Sequence, residues 1–148
     1  MSTPTPSHEV RVKIRWADVD AYGHLRHSAF ADWATFARSE WFEGVGLTPA
    51  VFAKEGTAPI TLEETSTFLK EVRLGETLTL RMQRAAASAD GSRFVHEVTF
   101  ERNEVPVARY RMTGAWFNLQ ARRIVAPPAL ISDAVELLEK TASFRQLD

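Results

Sequence analysis

One stretch of helical periodicity, standing between an alternating strand and a run of further strands, constrains this chain more than any other feature. From about Ser28 to Glu43, the residues Phe30, Trp33, Ala34, Ala37 and Trp41 fall on one side of a helical wheel, with Ala29 and Phe36 widening the stripe. Glu40 falls by angle inside that stripe, and Gly44 and Gly46 then stop the helix. Before it, Val10, Val12, Ile14 and Trp16 alternate with Arg11, Lys13 and Arg15, the period of a strand with one wet face. After it the chain is extended from Thr57 to Lys70, and Glu76 to Gln83 alternates through Leu78, Leu80 and Met82. A hairpin turn at Ala89-Asp90-Gly91-Ser92 leads to a strand marked by Phe94, Val98 and Phe100. A turn near Asn103-Glu104 precedes a last strand from Val105 to Asn118, and Pro127-Pro128 starts a short amphipathic helix through Leu130, Ile131, Val135 and Leu138. Strands joined by such short connections should form an antiparallel sheet, and only the helix at 28–43 is large enough to cover its apolar face. The expected architecture is α+β, a sheet curled round a central helix.

Composition narrows what this fold serves. A length of 148 residues suits one domain, 1–148, with residues 1–7 a loose polar, Pro-rich N-terminal segment. No stretch has the length of a membrane span or the apolar core of a signal peptide, so a cytoplasmic protein without membrane partners is expected. With 18 basic and 19 acidic side chains the formal net charge is −1, and the aromatic residues lie among apolar rather than basic neighbours, so nucleic acid is not an expected partner. The chain has no cysteine, which removes disulfides, thiolate metal sites and a Cys nucleophile together.

The chemistry concentrates at Arg15-Trp16-Ala17-Asp18-Val19-Asp20-Ala21-Tyr22-Gly23-His24-Leu25-Arg26-His27, where two carboxylates at a strand end run through a Gly turn into the helix. A helix N-terminus offers unpaired N–H groups to a developing oxyanion. A nearby Asp supplies a base or nucleophile. Hydrolysis of a thioester needs that pair of functions.

These residues and their order resemble the hotdog-fold thioesterases, in particular the 4-hydroxybenzoyl-CoA thioesterase-like branch, over nearly the whole chain. The run Asp18-Val19-Asp20-Ala21-Tyr22-Gly23-His24 carries the resemblance, followed by Phe30, Trp33, Ala37-Arg38 and Trp41-Phe42 on the helix. A second element, Phe68-Leu69-Lys70 through Val72-Arg73-Leu74-Gly75-Glu76, is similar to that family's strand and Gly-acidic turn. The resemblance implies a hotdog fold, a catalytic carboxylate at Asp20 and an oxyanion donor in the backbone N–H of His27. It also implies an acyl-CoA substrate, no metal, no cofactor and a homodimer or homotetramer with its site across a subunit interface. Two departures stand out. Leu25 is followed by Arg26 and His27 where the family commonly has paired Asn residues, and Glu71 stands where the branch often has Pro. A backbone donor survives any side-chain change except Pro, so the first departure bears on substrate selectivity rather than on the oxyanion role.

Blander readings exist for each residue. Asp18 reads as a turn or cap residue. His24 is a secondary candidate that packs in the turn or positions Asp20 or a water. A metal held by His24, His27 and Asp20 would need a convergence that a turn does not guarantee, and a calcium loop fails because Ala29 stands where a bidentate Glu is required. Glu40 reads as an arginine partner or, as in another hotdog branch, a helix-borne catalytic acid. Glu63 and Glu64 read as a solvated strand face, with Glu64 a candidate for orienting water. Among the arginines that would suit coenzyme A phosphates, Arg122-Arg123 is the densest pair. The expected activity is hydrolysis of an acyl-CoA to a free acid and coenzyme A. The alternatives are an acyl-thioester hydratase or dehydratase, for which the usual Asn-Pro motif is missing, and a noncatalytic acyl-CoA binding protein.

Overall fold

Residues 8–148 are described by the structure, a computed structural model; the loose segment expected at 1–7 lies outside them. The first strand, β1 (Glu9–Lys13), ends in a single 3-10 turn at Trp16–Asp18, and α1 (His27–Gly44) follows. Then come α2 (Pro49–Glu55), β2 (Thr57–Phe68), β3 (Thr77–Ser88), β4 (Arg93–Arg102) and β5 (Val105–Asn118). The chain closes with β6 (Arg123–Ile124), α3 (Ala129–Val135) and β7 (Lys140–Leu147). The sheet runs β1-β3-β4-β5-β2 with β6 beside β5, and these pairs are antiparallel. It curls round α1, the hotdog arrangement.

Alternation explains the burial. Leu78, Leu80 and Met82 on β3, Val98 and Phe100 on β4, and Tyr110 and Met112 on β5 point inward, where Phe30, Ala34, Ala37 and Trp41 of α1 meet them. Phe30 is the wedge. Its ring meets Phe68 and Phe100 edge-on at 5.0 and 5.3 Å, geometry worth roughly 1 kcal/mol per pair beyond the area buried. Gly114 is needed where β5 passes β4 and β2, because a Cβ there would lie 2.6 Å from the Phe94 ring and 2.8 Å from the Ile60 carbonyl oxygen.

Several sequence expectations change, among them that β5 is the last strand, since β6 and β7 follow it. The first strand stops at Lys13, and Trp16 is 83% exposed, because Arg15 and Asp18 bond to each other and curl the chain into the 3-10 turn. Glu40 is exposed rather than inside the stripe, and Phe36 is 37% exposed, since the buried face of α1 centres on Phe30, Ala34, Ala37 and Trp41 and leaves both on its flank. Helix α2 was not expected, although Thr48 caps it through Val51 N–H at 3.3 Å, Pro49 opens it and left-handed Gly56 closes it. Strand β7 was also not expected, and it is the sheet's parallel member. It takes over the edge of β3 beyond a bulge at Arg84–Ala86, where β1 has run out.

Candidate active site

The loop between β1 and α1 is built by backbone bonds that its carboxylates anchor. Arg15 Nε and Nη2 each donate at 3.0 Å to the two oxygens of Asp18, and the Arg15 N–H adds a third bond at 3.3 Å. The guanidinium holds this carboxyl below the usual carboxylate range. Asp18 is only 5% exposed, and its carbonyl accepts the Arg26 N–H at 2.9 Å, which sets the residue preceding α1.

Asp20 faces the other way. Its Oδ1 accepts the N–H groups of Tyr22 at 2.9 Å and His24 at 3.1 Å, an Asx turn closed by Gly23 with φ +78. The loop is then fastened to the strand-like segment before β3, Leu25 N–H donating to Val72 at 2.7 Å and Leu74 N–H to Gly23 at 3.0 Å. Helix α1 begins at His27, after an extended Arg26 whose side chain caps nothing there and reaches Ser28 Oγ and the Ala17 carbonyl instead. The first-turn N–H groups thus lack a side-chain cap at the position where caps are usual.

Asp20, His24, His27 and Phe30 line one cleft of about 420 Å³ together with Phe68, Lys70 and Glu71. Sequence reasoning passed over Lys70 as a site residue, yet its spacing two residues past Phe68 was available. Glu71 turns toward the site as well: its Oε2 lies 3.6 Å from His24 Nε2 and 3.5 Å from Arg73 Nη2. The His24 ring thus lies beside Glu71, while its backbone N–H serves Asp20.

Other candidates lie elsewhere. Tyr22 is exposed on the loop, and Glu40 lines a separate surface cleft with His8, Val10 and Trp41. No group of three or more potential metal ligands occurs among the described residues. Four arginines of the sheet are engaged by carboxylates rather than free for an anionic ligand: Arg81 by Glu9, Arg84 by Glu136, Arg102 by Glu76 and Arg111 by Glu97. Glu64, on an exposed stretch of β2, accepts a hydrogen bond from the Tyr110 hydroxyl, whose proton affinity is pushed up by burial and by that carboxylate. Beside them lies buried Arg38, whose own proton affinity burial lowers.

A sheet wrapped on one long helix is the hotdog fold, and here a carboxylate and N–H groups without a side-chain cap share a cleft at that helix's start. The model of the thioesterase-like superfamily matches residues 14–135, and the chain belongs to that superfamily. It is a thioester hydrolase. It is 25% identical over 133 residues to a chloroplastic acyl-acyl carrier protein thioesterase of Arabidopsis thaliana, an alignment covering 90% of this chain and 70% of that one. A 1,4-dihydroxy-2-naphthoyl-CoA thioesterase from Synechocystis superposes with a TM-score of 0.74 at 19% identity, covering 86% of this chain and 93% of the other. A protein from Staphylococcus aureus solved in complex with CoA gives 0.79 at 16% identity, covering 96% and 92%. These two likenesses concern the fold. No helix among the described residues is long and apolar enough to cross a membrane.

Proposed function

We propose that this protein hydrolyses acyl-CoA thioesters, with Asp20 as the reacting carboxylate and the His27 N–H as the oxyanion donor. The observation that carries this reading is that both residues line the same cleft, at the uncapped start of α1. The thioester carbonyl lies against the helix start, where its oxygen gains negative charge as the carbon is attacked. Asp20 either attacks that carbon itself, giving an acyl anhydride that water later cleaves, or takes a proton from a water that attacks. In both routes the C–S bond breaks, coenzyme A leaves as the thiol and the acyl group leaves as the acid. His24 acts from outside the bond changes, positioning the turn that presents Asp20. The motif from Asp18 to His24 supports membership in the 4-hydroxybenzoyl-CoA thioesterase-like branch, and the lack of cysteine suits a reducing cytoplasm.

An acyl group on acyl carrier protein is the second reading, favoured by the name of the Arabidopsis relative. Thiol release from a panel of acyl-CoAs and from the matching acyl carrier proteins tests both. Release from CoA esters supports the first, release from carrier-protein esters alone replaces it with the second, and binding without release leaves a noncatalytic acyl-CoA binder. Formation of a hydroxyacyl or unsaturated thioester instead would mark a hydratase or dehydratase.

The same reading includes a homodimer or homotetramer. Strand β2 ends the main strand order and carries Phe68 and Leu62, each about half exposed, along 12 residues of edge, a surface that a second copy would cover.

A further inference from the structure

The loop that carries Asp20 is closed at its base. The Asp18 carbonyl accepts the Arg26 N–H at 2.9 Å, and Val19 and Leu25 bridge antiparallel just inside that bond. Asp20 stands one residue further in, and His27 is the first residue beyond the closure on the helix side. The base of the loop therefore sets how the carboxylate and the oxyanion donor lie relative to each other. Main-chain bonds to Val72 and Leu74 hold the outer part of the loop, whereas side chains hold its base against α1.

Two arginines supply that hold. Arg26 donates through Nε to Ser28 Oγ at 3.1 Å and through Nη1 to the Ala17 carbonyl, and its Nη2 stands 3.8 Å from Asp32 Oδ2. Arg15 reaches farther along the helix. Its guanidinium bonds both oxygens of Asp18 while its Cζ lies 4.9 Å from the centre of the Trp33 ring, a cation over an aromatic face. Trp33 belongs to the second turn of α1, so Arg15 ties the base of the loop to a point well past His27. The indole is itself seated. Phe36 meets it edge-on at 5.6 Å, and its buried Nε1 makes no full hydrogen bond among the described residues but, after Arg15, adds to the lowering of the Asp18 carboxyl.

We propose that Arg15 and Trp33 are positioning residues for the hydrolysis, a strap that fixes the base of the Asp20 loop on α1 and so sets the Asp20 carboxylate against the His27 N–H. Neither lies in the thioester cleft. They line a second cleft with Ala17, Asp18, Arg26 and Asp32, and it shares no residue with the one at Asp20. An attacking group and an oxyanion donor must be matched closely in the transition state, whereas binding of the ground state tolerates slack. Loosening the strap therefore costs turnover rather than affinity. The inference rests on the cleft at Asp20 and His27 as the thioester site.

Trp33→Leu removes the aromatic face, and Trp33→Phe keeps one. With the best acyl-CoA, kcat should fall at least about tenfold in Trp33→Leu and largely recover in Trp33→Phe. The thioether analogue of that acyl-CoA, which cannot be hydrolysed, should bind Trp33→Leu within about twofold of the parent affinity and at the same stoichiometry by titration calorimetry. Amide exchange at Arg26, which reports the closure at the base, should quicken at least about tenfold. Arg15→Met, at an exposed position, should lower kcat as well, and adding Trp33→Leu to it should cost little more, because both act through one contact. An unchanged kcat in Trp33→Leu, a fall matched by an equal fall in binding stoichiometry, or a full further loss in the double variant overturns the proposal. Thiol release by the parent checks the reading beneath it. Release that ignores Trp33 removes the strap and leaves the acyl-CoA reading, whereas quickened exchange at Arg26 with no release from any acyl-CoA removes that reading and keeps the strap.

Discussion

Asp20 and His24 are tied to each other twice: the Asp20 N–H donates to the His24 carbonyl at 2.8 Å, and the His24 N–H returns to Asp20 Oδ1 at 3.1 Å. The carboxylate is thus aimed by main-chain donors, and the imidazole is left to Glu71. An amide oxygen could accept the same bonds. Asp20→Asn should therefore keep the turn and the melting temperature while removing the charge, and kcat for the best acyl-CoA should fall by roughly a hundredfold or more. Steady-state hydrolysis checks it; a rate near the parent's would shift the chemistry to another carboxylate.

His27 separates backbone from side chain. His27→Ala should retain substantial turnover, with KM or selectivity altered more than kcat. His27→Pro should abolish turnover by removing the N–H. The fold should tolerate it, because Pro is favoured at the first helical position and Arg26, at φ −68 and ψ 148, already has the extended backbone that precedes a proline. A loss of several orders of magnitude in His27→Ala would move the imidazole into the reaction.

Asp18→Asn tests the loop's anchor. From sequence alone this change looks mild, since Asn also caps turns. The paired bonds to Arg15 predict more: a melting temperature lowered by several degrees, together with weakened turnover as the start of α1 loosens. The Asp18 carboxyl is held low when folded, so its stabilisation is present above the ordinary carboxylate range and is lost as pH falls through the lowered value. Thermal melts of both proteins between pH 7 and pH 3 should therefore converge at the acid end.

His96 predicts a second acid sensitivity with a different window. It is buried, stacked on Phe94 at 4.5 Å, and burial with the charges of Arg38 and Arg84 pushes its pKa down to about 3. At neutral pH both folded and unfolded forms hold it uncharged. Below about 6.5 the unfolded chain takes up a proton that the folded protein refuses, so stability falls with pH until about 3. Relative to His96→Leu, the parent should lose roughly 2 kcal/mol more between pH 6.5 and pH 5 in urea unfolding. Parallel curves for the two proteins would refute this.

Assembly is checked by sedimentation at micromolar concentration. The active species should exceed the 16.6 kDa chain at least twofold; a fully active monomer would refute the interface assigned to β2.

Local chemistry made much of this readable in the sequence. Alternation through Leu78, Leu80 and Met82, the turn at Asp90-Gly91 and the helical stripe from Phe30 to Trp41 each depend on neighbours within a few residues, so the order of the five long strands and α1, and the sheet wrapped on that helix, were available from the chain alone. So was the grouping of Asp20 with the start of α1, since only six residues separate them. Strand β7 was not, because its pairing with β3 is parallel and long-range and carries no turn signal. Helix α2 had its cap, its Pro and its Gly, but seven residues are too few for a clear period.

Glu40 and Arg38 mark the boundary most sharply. A helical wheel gives each residue an angle, yet it does not say where along that circle the covering sheet stops. By composition Glu40 was the anomaly inside an apolar stripe, but it is exposed, while Arg38 is buried beside Tyr110 and Glu64. By itself the sequence determined the strands, the central helix and the carboxylate beside its start, all of them consequences of local periodicity and capping. Only the tertiary structure decided which flank of α1 is desolvated and which distant side chains meet there, because burial is set by elements far apart in the chain closing on the same space.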